Sequence, residues 1–400
     1  MSSTLVISGK KNIVLAISLW LMILSCIPQN EAYAFLDPVI KLFRYVAFAW
    51  SILIFTTTRQ YLNKKLFLVF GFLCWILVSS LINLTSIVDT LKLLYPIFTC
   101  VVLTQYIIEK DKLKGFKALA IFFCVLMVIQ AFTLATHCFG DIYVGAWQGN
   151  YFFGIRVNVS FILPYAIGLN LVYAKIDKKW GRLSFAITLI SAIYFAVFEA
   201  VSTALMVIAT ILGFSFFSYI YKFKRHMLKT VIFLTIAFSA GFAFLGSKTH
   251  IFAWLLVGIL KEDVTLDGRT ILWEQAFEYL KGLHWLYGYG YKHNFLFKIS
   301  WWFEADHPHN EYLEMLFCYG MIGVCIYIKM LVKQFKSLES INNREVRDAM
   351  FATLLSIVIM HIASHNYMAV FPYIFYVVLV NLNGILEEEN NVRYRLEPRT

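Results

Sequence analysis

Apolar runs long enough to cross a membrane recur along the whole chain, separated by shorter segments that carry Lys and Arg. A helix needs about 20 mainly apolar residues to cross the hydrocarbon core of a bilayer, and about 12 runs approach that length. The predicted spans are 12–28, 38–56, 66–83, 90–108, 116–136, 158–174, 183–198, 201–221, 230–246, 311–331, 349–366 and 369–386. The pattern therefore predicts a chain that crosses a membrane many times, with a tight helical hairpin around Glu199.

The composition agrees with this pattern. Of the 400 residues, 60% are hydrophobic and 15% are charged, whereas an ordinary soluble domain is about 45–50% apolar and about 25% charged. A single aqueous core cannot bury so much apolar surface, which excludes a soluble enzyme, a disordered chain and a secreted disulfide scaffold. The sequence predicts an all-α polytopic membrane protein that forms one integral membrane domain over 1–400.

The distribution of charge predicts how the chain is oriented. The net charge of +11 comes from 35 Lys+Arg against 24 Asp+Glu, and most of the cations fall in alternate connecting segments. The positive-inside rule places those segments and both termini in the cytoplasm, so the charge indicates cytoplasmic loops and lipid headgroups rather than nucleic acid. Segments 137–157 and 247–310 then face outward. The second is rich in Trp, His and Gly, and we expect it to be an ordered, partly helical loop.

Residues suited to chemistry concentrate in this second outer loop. His307 and His309 flank Pro308, just before a helix predicted to begin near residues 310–311. The dipole at a helix N-terminus lowers the pKa of a nearby His and favours a neutral imidazole, which can accept a proton from a sugar hydroxyl. Arg269 keeps its charge, and its fork of donors suits a diphosphate.

Purely structural interpretations of the same loop stay open. His307 and His309 could be polar residues at a membrane interface. A His-x-His pair can also bind metal, but no third ligand follows at a useful spacing. Trp301, Trp302 and Phe303 are typical of an aromatic belt as well as of a sugar-binding platform. The seven Cys form no CxxC pair and show no ligand spacing, so we interpret them as small apolar residues and predict no metal site.

Three cations outside that loop are further candidates. Arg156, the cation of the first outer loop, is either a functional group or an anchor at the interface. Lys41 and Arg44 lie in the outer half of the second predicted span, where ionisable residues are functional candidates by default. A local pair between Asp37 and Lys41, with Arg44 reaching toward the interface, explains them equally well.

Five short motifs follow one another along 268–328: an Arg, a Trp four residues later, a Gly-x-Gly turn, a His-Asn-x-x-Leu run and a Gly-x-x-Gly pair. Their residues are Arg269, Trp273, Gly288, Gly290, His309, Asn310, Leu313, Gly320 and Gly323. Together with the large loop before the last spans, they resemble the O-antigen ligase/polymerase family (Wzy/WaaL-like) of bacterial membrane glycosyltransferases.

The resemblance implies a glycosyltransferase C-like fold and a reaction. Family members transfer a glycan linked through diphosphate to undecaprenol onto an acceptor hydroxyl, on the outer face of the bacterial cytoplasmic membrane, without a metal or another cofactor. His309 would be the general base, Arg269 would hold the diphosphate, and Asn310 would fix the local geometry or cap the helix. The remaining substrate-binding candidates are His307, Trp273, Arg156, Arg44 and Lys41. The implied partners are the undecaprenyl-diphosphate-linked oligosaccharide, membrane lipids, a chain-length regulator and a flippase, and no nucleic acid.

One position departs from the family pattern. Many members carry Ser-Arg at the start of the span after the short hairpin, where this chain has Ser202 and Thr203. Either Arg156 or Arg44 would supply the missing cation, or the diphosphate would be held with fewer charges. This departure and the segment around Arg156 favour a polymerase of lipid-linked repeat units over a ligase that transfers the glycan to lipid A–core. A lipid-linked sugar transporter is a remote third hypothesis, because we find no internal repeat.

Overall fold

The computed structural model describes ten stretches of the chain: 2–27, 31–58, 64–138, 152–153, 159–199, 201–222, 225–246, 269–300, 303–362 and 368–396. Helices account for most of these residues. In chain order they are α1 (Ser2–Cys26), α2 (Asp37–Thr57), α3 (Phe67–Ile82), α4 (Ile87–Lys110), α5 (Lys112–Thr136), α6 (Leu163–Ile176), α7 (Trp180–Phe198), α8 (Ser202–Tyr221), α9 (Arg225–Gly246), α10 (Arg269–Tyr279), α11 (His284–Tyr287), α12 (Glu311–Glu339), α13 (Arg344–Met360) and α14 (Phe371–Leu396). A 3-10 helix covers Glu31–Leu36, and two short strands are β1 (Phe297–Ser300) and β2 (Phe303–Ala305).

The chain is an all-α membrane protein, as the hydrophobic pattern predicted. Six helices within the described ranges are long and apolar enough to cross a membrane: Ala34–Thr57, Ile87–Lys110, Lys112–Thr136, Trp180–Phe198, Ser202–Tyr221 and Glu311–Glu339. Shorter apolar helices cover Ile13–Cys26, Phe67–Ile82 and Met227–Phe238. Every predicted span overlaps a helix, although the count of about 12 crossings stays a prediction. The two helices α7 and α8 are separated by residues 199–201, which matches the expected tight hairpin.

Side-chain caps define where several helices begin. Ser86 accepts a hydrogen bond from the backbone amide of Asp89 at the start of α4. Asp111 and Asn343 likewise accept a hydrogen bond from a backbone amide at the starts of α5 and α13. Each cap satisfies an amide that has no partner inside the helix, which typically stabilises a helix by about 1 kcal/mol.

Buried amide side chains join helices inside the bundle. Asn381 of α14 donates to the side chain of Gln105 on α4 at 2.7 Å and accepts from Lys65 at 2.9 Å. Asn170 of α6 donates to a backbone carbonyl of α5 at 3.0 Å and accepts from Ser184 of α7 at 2.6 Å. Both Asn side chains are buried. Hydrogen bonds of this kind between helices hold a membrane bundle together where apolar contact alone gives little specificity.

The long helix α12 is broken at Gly320, whose dihedral angles (φ 65°, ψ −172°) are not helical. A break of this kind frees nearby carbonyls from the regular ladder, and those carbonyls need other donors. The carbonyls of Phe317 and Cys318 accept the amides of Tyr289 and Gly290 at 2.9 and 2.7 Å. The carbonyl of the next residue, Tyr319, accepts the indole N–H of Trp75 on α3 at 2.8 Å.

Two glycines let the outer loop reach this break. A Cβ at Gly288 would lie 2.3 Å from the backbone of Cys318, and one at Gly320 would lie 2.3 Å from the backbone of Leu286. Both glycines have positive φ. The hydroxyl of Ser79 on α3 completes the contact, because it donates both to a carbonyl of the outer loop and to a carbonyl of α12. Glycine is therefore needed at both positions, because the backbone of the outer loop and the backbone of α12 touch there.

A second, smaller hydrophobic core lies under the outer loop. Its buried residues are Leu272, Trp273, Ala276, Leu280, Phe297, Ala305, Leu313 and Phe317. They come from α10, the two strands and the first turns of α12. The strands pair in antiparallel register, with Phe297 opposite Ala305 and Lys298 opposite Glu304. This core fixes the loop helix α10 against the start of α12, directly beside the His-Pro-His segment.

We expect Gly320→Ala to destabilise the protein by about 2 kcal/mol or more, because the new methyl group collides with backbone and the dihedral angles suit glycine almost exclusively. The measurement is thermal unfolding of the purified protein in detergent. Gly71→Ala on α3 is the matched control, since a Cβ there meets nothing within 4 Å and Ala is the better helix former. An unfolding temperature for Gly320→Ala equal to that of Gly71→Ala would contradict this account of the break.

Candidate active site

The segment between β2 and α12 carries the two histidines in an unusual backbone conformation. His309 has a φ of +53°, in the left-handed region that residues other than Gly seldom occupy. Asn310, which follows it, is extended (φ −145°, ψ 123°). Strain of this kind persists only where the surrounding contacts enforce it, and it concentrates at functional sites.

Asn310 is the anchor of this segment. Its side-chain oxygen accepts the amide of Leu313 at 3.0 Å, so it caps α12 as one of the sequence-based alternatives expected. Its amide group donates to the carbonyl of Ile362 at the end of α13, also at 3.0 Å. The next amide, that of Glu311, donates to the carbonyl of His361 at 2.9 Å. Because Asn310 is fully buried, these bonds fix the start of α12 against α13.

Asp306, His307 and His309 form a hydrogen-bonded chain. The carboxylate Oδ1 of Asp306 lies 2.5 Å from Nδ1 of His307. Nε2 of His307 lies 3.1 Å from Nδ1 of His309. The hydrogen bond from His307 holds the pKa of the Asp306 carboxyl well below its usual range, so this group is an anion that can only accept.

That anion fixes the direction of the first bond, and the number of protons on His307 fixes the direction of the second. Asp306 can only accept, so Nδ1 of His307 carries a proton. When the His307 ring carries that proton alone, its Nε2 is an acceptor. Nδ1 of His309 must then donate to it. The remaining ring nitrogen, Nε2 of His309, then carries no proton, which is the state required of a general base.

Burial keeps the His309 ring neutral. Its pKa is lowered to about 3, first by desolvation and then by electrostatic interaction with His307 and Arg269, while Asp306 opposes the shift. The sequence argument predicted a lowered pKa but assigned it to the helix dipole. The principal cause is burial, which the sequence pattern could not indicate. Arg269 and His309 are thus close enough to interact electrostatically, as the sequence-based hypothesis requires.

Trp273 holds the two halves of the site together. Its indole N–H donates to the carbonyl of Pro308 at 2.8 Å, and the side chain is completely buried. Trp273 lies one turn after Arg269 on α10, so this bond also fixes how α10 presents Arg269 to the histidines. The structure therefore shows a positioning role for Trp273, and direct contact of this side chain with substrate stays a prediction.

The other predicted cations lie elsewhere or outside the described residues. Lys41 pairs with Asp37 at 3.7 Å, and Arg44 donates to the carbonyl of Ile27. Lys41 thus makes the local pair that the structural interpretation predicted. The contact of Arg44 was not predicted, and a role of either side chain in binding substrate stays a prediction. Arg156 lies outside the described residues, as do the tryptophans at 301–302.

Two features of the site were missed by the sequence analysis. The first is Asp306, which orients His307. It stands directly before the His-Pro-His run, and this position could have identified it from the sequence. A buried network behind Asn310 joins Glu311 to the hydroxyl of Tyr327 at 3.0 Å, and that hydroxyl lies 3.3 Å from Nδ1 of His361. Glu311 and Tyr327 are separated by more than four helical turns of sequence across the Gly320 break, so no local pattern could have paired them.

Comparison with known proteins gives a family assignment. Residues 185–328 match a family model described as O-antigen ligase. The match covers roughly a third of the chain and includes α7, α8, the outer loop and the first half of α12. A comparison with curated proteins finds no match. The family supports a glycosyltransferase-like enzyme with a ligase-like or polymerase-like role. The resemblance found in the sequence is confirmed: residues 185–328 match the O-antigen ligase model, and this match supports the O-antigen ligase/polymerase family.

Proposed function

We propose that the chain is a polysaccharide polymerase acting at the outer face of the bacterial cytoplasmic membrane. Its donor is a glycan linked through diphosphate to undecaprenol, and its acceptor is a sugar hydroxyl of another lipid-linked repeat unit. The products are O-antigen, capsule or exopolysaccharide chains. The observation that carries the proposal is the chain from Asp306 through His307 to His309, beside Arg269, at the start of a membrane helix.

The proposed transfer needs a base and a group that stabilises the leaving diphosphate. The acceptor hydroxyl attacks the anomeric carbon while its proton passes to Nε2 of His309. The bond from the anomeric carbon to the diphosphate oxygen breaks, and undecaprenyl diphosphate leaves. Asp306, acting through His307, stabilises the imidazolium that forms. Arg269 offsets the charge of the diphosphate with fixed donors.

The proposal includes a topology and partners. About 12 helices cross the membrane in a glycosyltransferase C-like arrangement, both termini lie in the cytoplasm, and the loop at 247–310 faces outward. The abundance of Lys and Arg in the segments assigned to the cytoplasm supports this orientation. A flippase would deliver the lipid-linked donor to the outer face, and a chain-length regulator would act on the growing product.

A second candidate is an O-antigen ligase that transfers the finished glycan to lipid A–core. The description of the matching family favours it. Ser202 and Thr203, which stand where many members have Ser-Arg, favour the polymerase. Both enzymes would use the same donor and the same base, so only the acceptor distinguishes them.

Complementation separates these functions. The wild-type chain, His309→Ala and Arg269→Ala are expressed with their own repeat-unit pathway in two hosts, one lacking its polymerase and one lacking its ligase. We expect only the polymerase-deficient host to regain a ladder of chain lengths. Both substitutions should lower product by about 10²-fold or more at normal expression. His137→Ala and Lys298→Ala are controls, because they remove a histidine and a cation that are exposed elsewhere on the outer segments.

Two other outcomes of the complementation experiment would change the functional assignment. Recovery of only the ligase-deficient host makes the chain a ligase. If both substitutions at His309 and Arg269 leave the product unchanged, the site is wrong and a lipid-linked sugar transporter becomes the better hypothesis.

Asp306→Asn tests the direction of the hydrogen bonds. The introduced amide can donate to Nδ1 of His307, which reverses the chain and places the proton of His309 on Nε2, where the base is blocked. We expect kcat to fall by about 10²–10⁴-fold with little change in KM. Initial rates of the purified enzyme with lipid-linked donor measure this effect.

Two comparison variants sharpen that measurement. Asp306→Ala removes the anion without supplying a donor, so it should cost less than Asp306→Asn. Glu304→Gln removes an exposed carboxylate that pairs with Lys298 at 3.4 Å, and it should leave kcat unchanged. Equal rates for wild type and Asp306→Asn would show that Asp306 does not set the tautomer of His309.

A further inference from the structure

Beside the histidine pair, three side chains with different ligand atoms converge. A ring nitrogen of His293, a carboxylate oxygen of Glu314 and the sulfur of Cys318 all lie within 4.8 Å of one another. Glu314 and Cys318 are one helical turn apart on α12, so they share a face. Both are buried, with 2% and 1% of their surfaces exposed. His293 comes from the outer loop.

The loop presents His293 from a fixed position. Three residues before it, Gly290 donates its amide to the carbonyl of Cys318 at 2.7 Å, so the loop backbone is hydrogen-bonded to the residue that supplies the sulfur. The imidazole also packs edge-on against Phe317, with ring centroids 4.8 Å apart. A preformed arrangement of this kind lowers the entropic cost of binding an ion.

His293 offers the proposed ion a buried ring nitrogen that has no partner among the described residues. Its Nδ1 atom is buried and makes no hydrogen bond within the described part of the chain. A buried polar nitrogen without a partner usually costs about 1–3 kcal/mol, and a metal ion would remove that cost.

The other two side chains complete a suitable donor set. The thiol of Cys318 donates to Oε1 of Glu314 at 3.3 Å. Binding of a divalent ion would displace the thiol proton, since the thiolate is the form that ligates. Nitrogen, oxygen and sulfur ligands together suit Zn²⁺, whereas Mg²⁺ and Ca²⁺ prefer oxygen alone.

We propose that His293, Glu314 and Cys318 bind one zinc-class divalent ion that joins the outer loop to α12. Three protein ligands leave one tetrahedral position for water. The ion would support the break at Gly320 from the outer side, and the transfer chemistry proposed for His309 does not require it. The proposal therefore does not depend on the identity of the substrate.

Cobalt substitution tests the site directly. The tag-free protein, purified in detergent, is stripped with a chelator and titrated with Co²⁺ alone. We expect about one ion per chain, with a thiolate-to-cobalt charge-transfer band and the visible spectrum of a tetrahedral site. Zn²⁺ should abolish the band by displacement and should raise the unfolding temperature of the stripped protein.

Substitutions test whether the charge-transfer band arises from the proposed metal site. Cys318→Ser should remove the charge-transfer band, and His293→Ala should weaken Co²⁺ binding by about 100-fold or more. Cys325→Ser is the matched control, because Cys325 lies on the same helix but is exposed, and it should bind as wild type does. A wild-type protein without a thiolate band, or a Cys318→Ser protein that keeps it, would overturn the proposal. The wild-type spectrum decides the question even if Cys318→Ser does not fold.

Discussion

The interruption of α12 at Gly320 is the constraint on which the outer half of the molecule depends. In or near a bilayer, little water is available to donate a hydrogen bond to a carbonyl that is released from a helix. Protein donors must therefore satisfy that carbonyl. Here the donors are two loop amides, those of Tyr289 and Gly290, and the indole of Trp75. The requirement for partners therefore docks the loop onto the helix, and the same contact excludes any side chain at Gly320.

Docking of the loop creates an environment in which a histidine is neutral and oriented. The bond from Trp273 to Pro308 and the cap formed by Asn310 fix both ends of the His-Pro-His segment. His309 is held in a left-handed conformation, partly removed from water, with one ring nitrogen committed to His307. Fold stability and the proposed proton acceptor are linked, because the contacts that enforce the strained backbone also hold the His309 ring beside His307.

Local sequence patterns were sufficient for the helices and for the family. Apolar runs located the long helices, and the ordered motifs from Arg269 to Gly323 identified the family that residues 185–328 match. The cap at Asn310 was also predictable, because capping depends on neighbouring residues. The break at Gly320 and the cause of the lowered pKa of His309 were not predictable from the sequence. Both depend on elements far apart in the sequence, and a hydropathy pattern carries no information on which backbone a glycine will touch.

The central claim is that His309 is partly removed from water, neutral and ready to accept a proton, and the pH dependence of the transfer rate tests it most directly. A histidine with an ordinary pKa near 6.5 would lose roughly tenfold of its neutral form between pH 7.5 and pH 5.5. Since burial lowers the pKa of His309 to about 3, we predict a rate for the purified enzyme that stays level across that range. A diphosphate diester donor does not titrate there. A tenfold fall with a midpoint near pH 6.5, present in wild type and in Glu304→Gln alike, would contradict the claim.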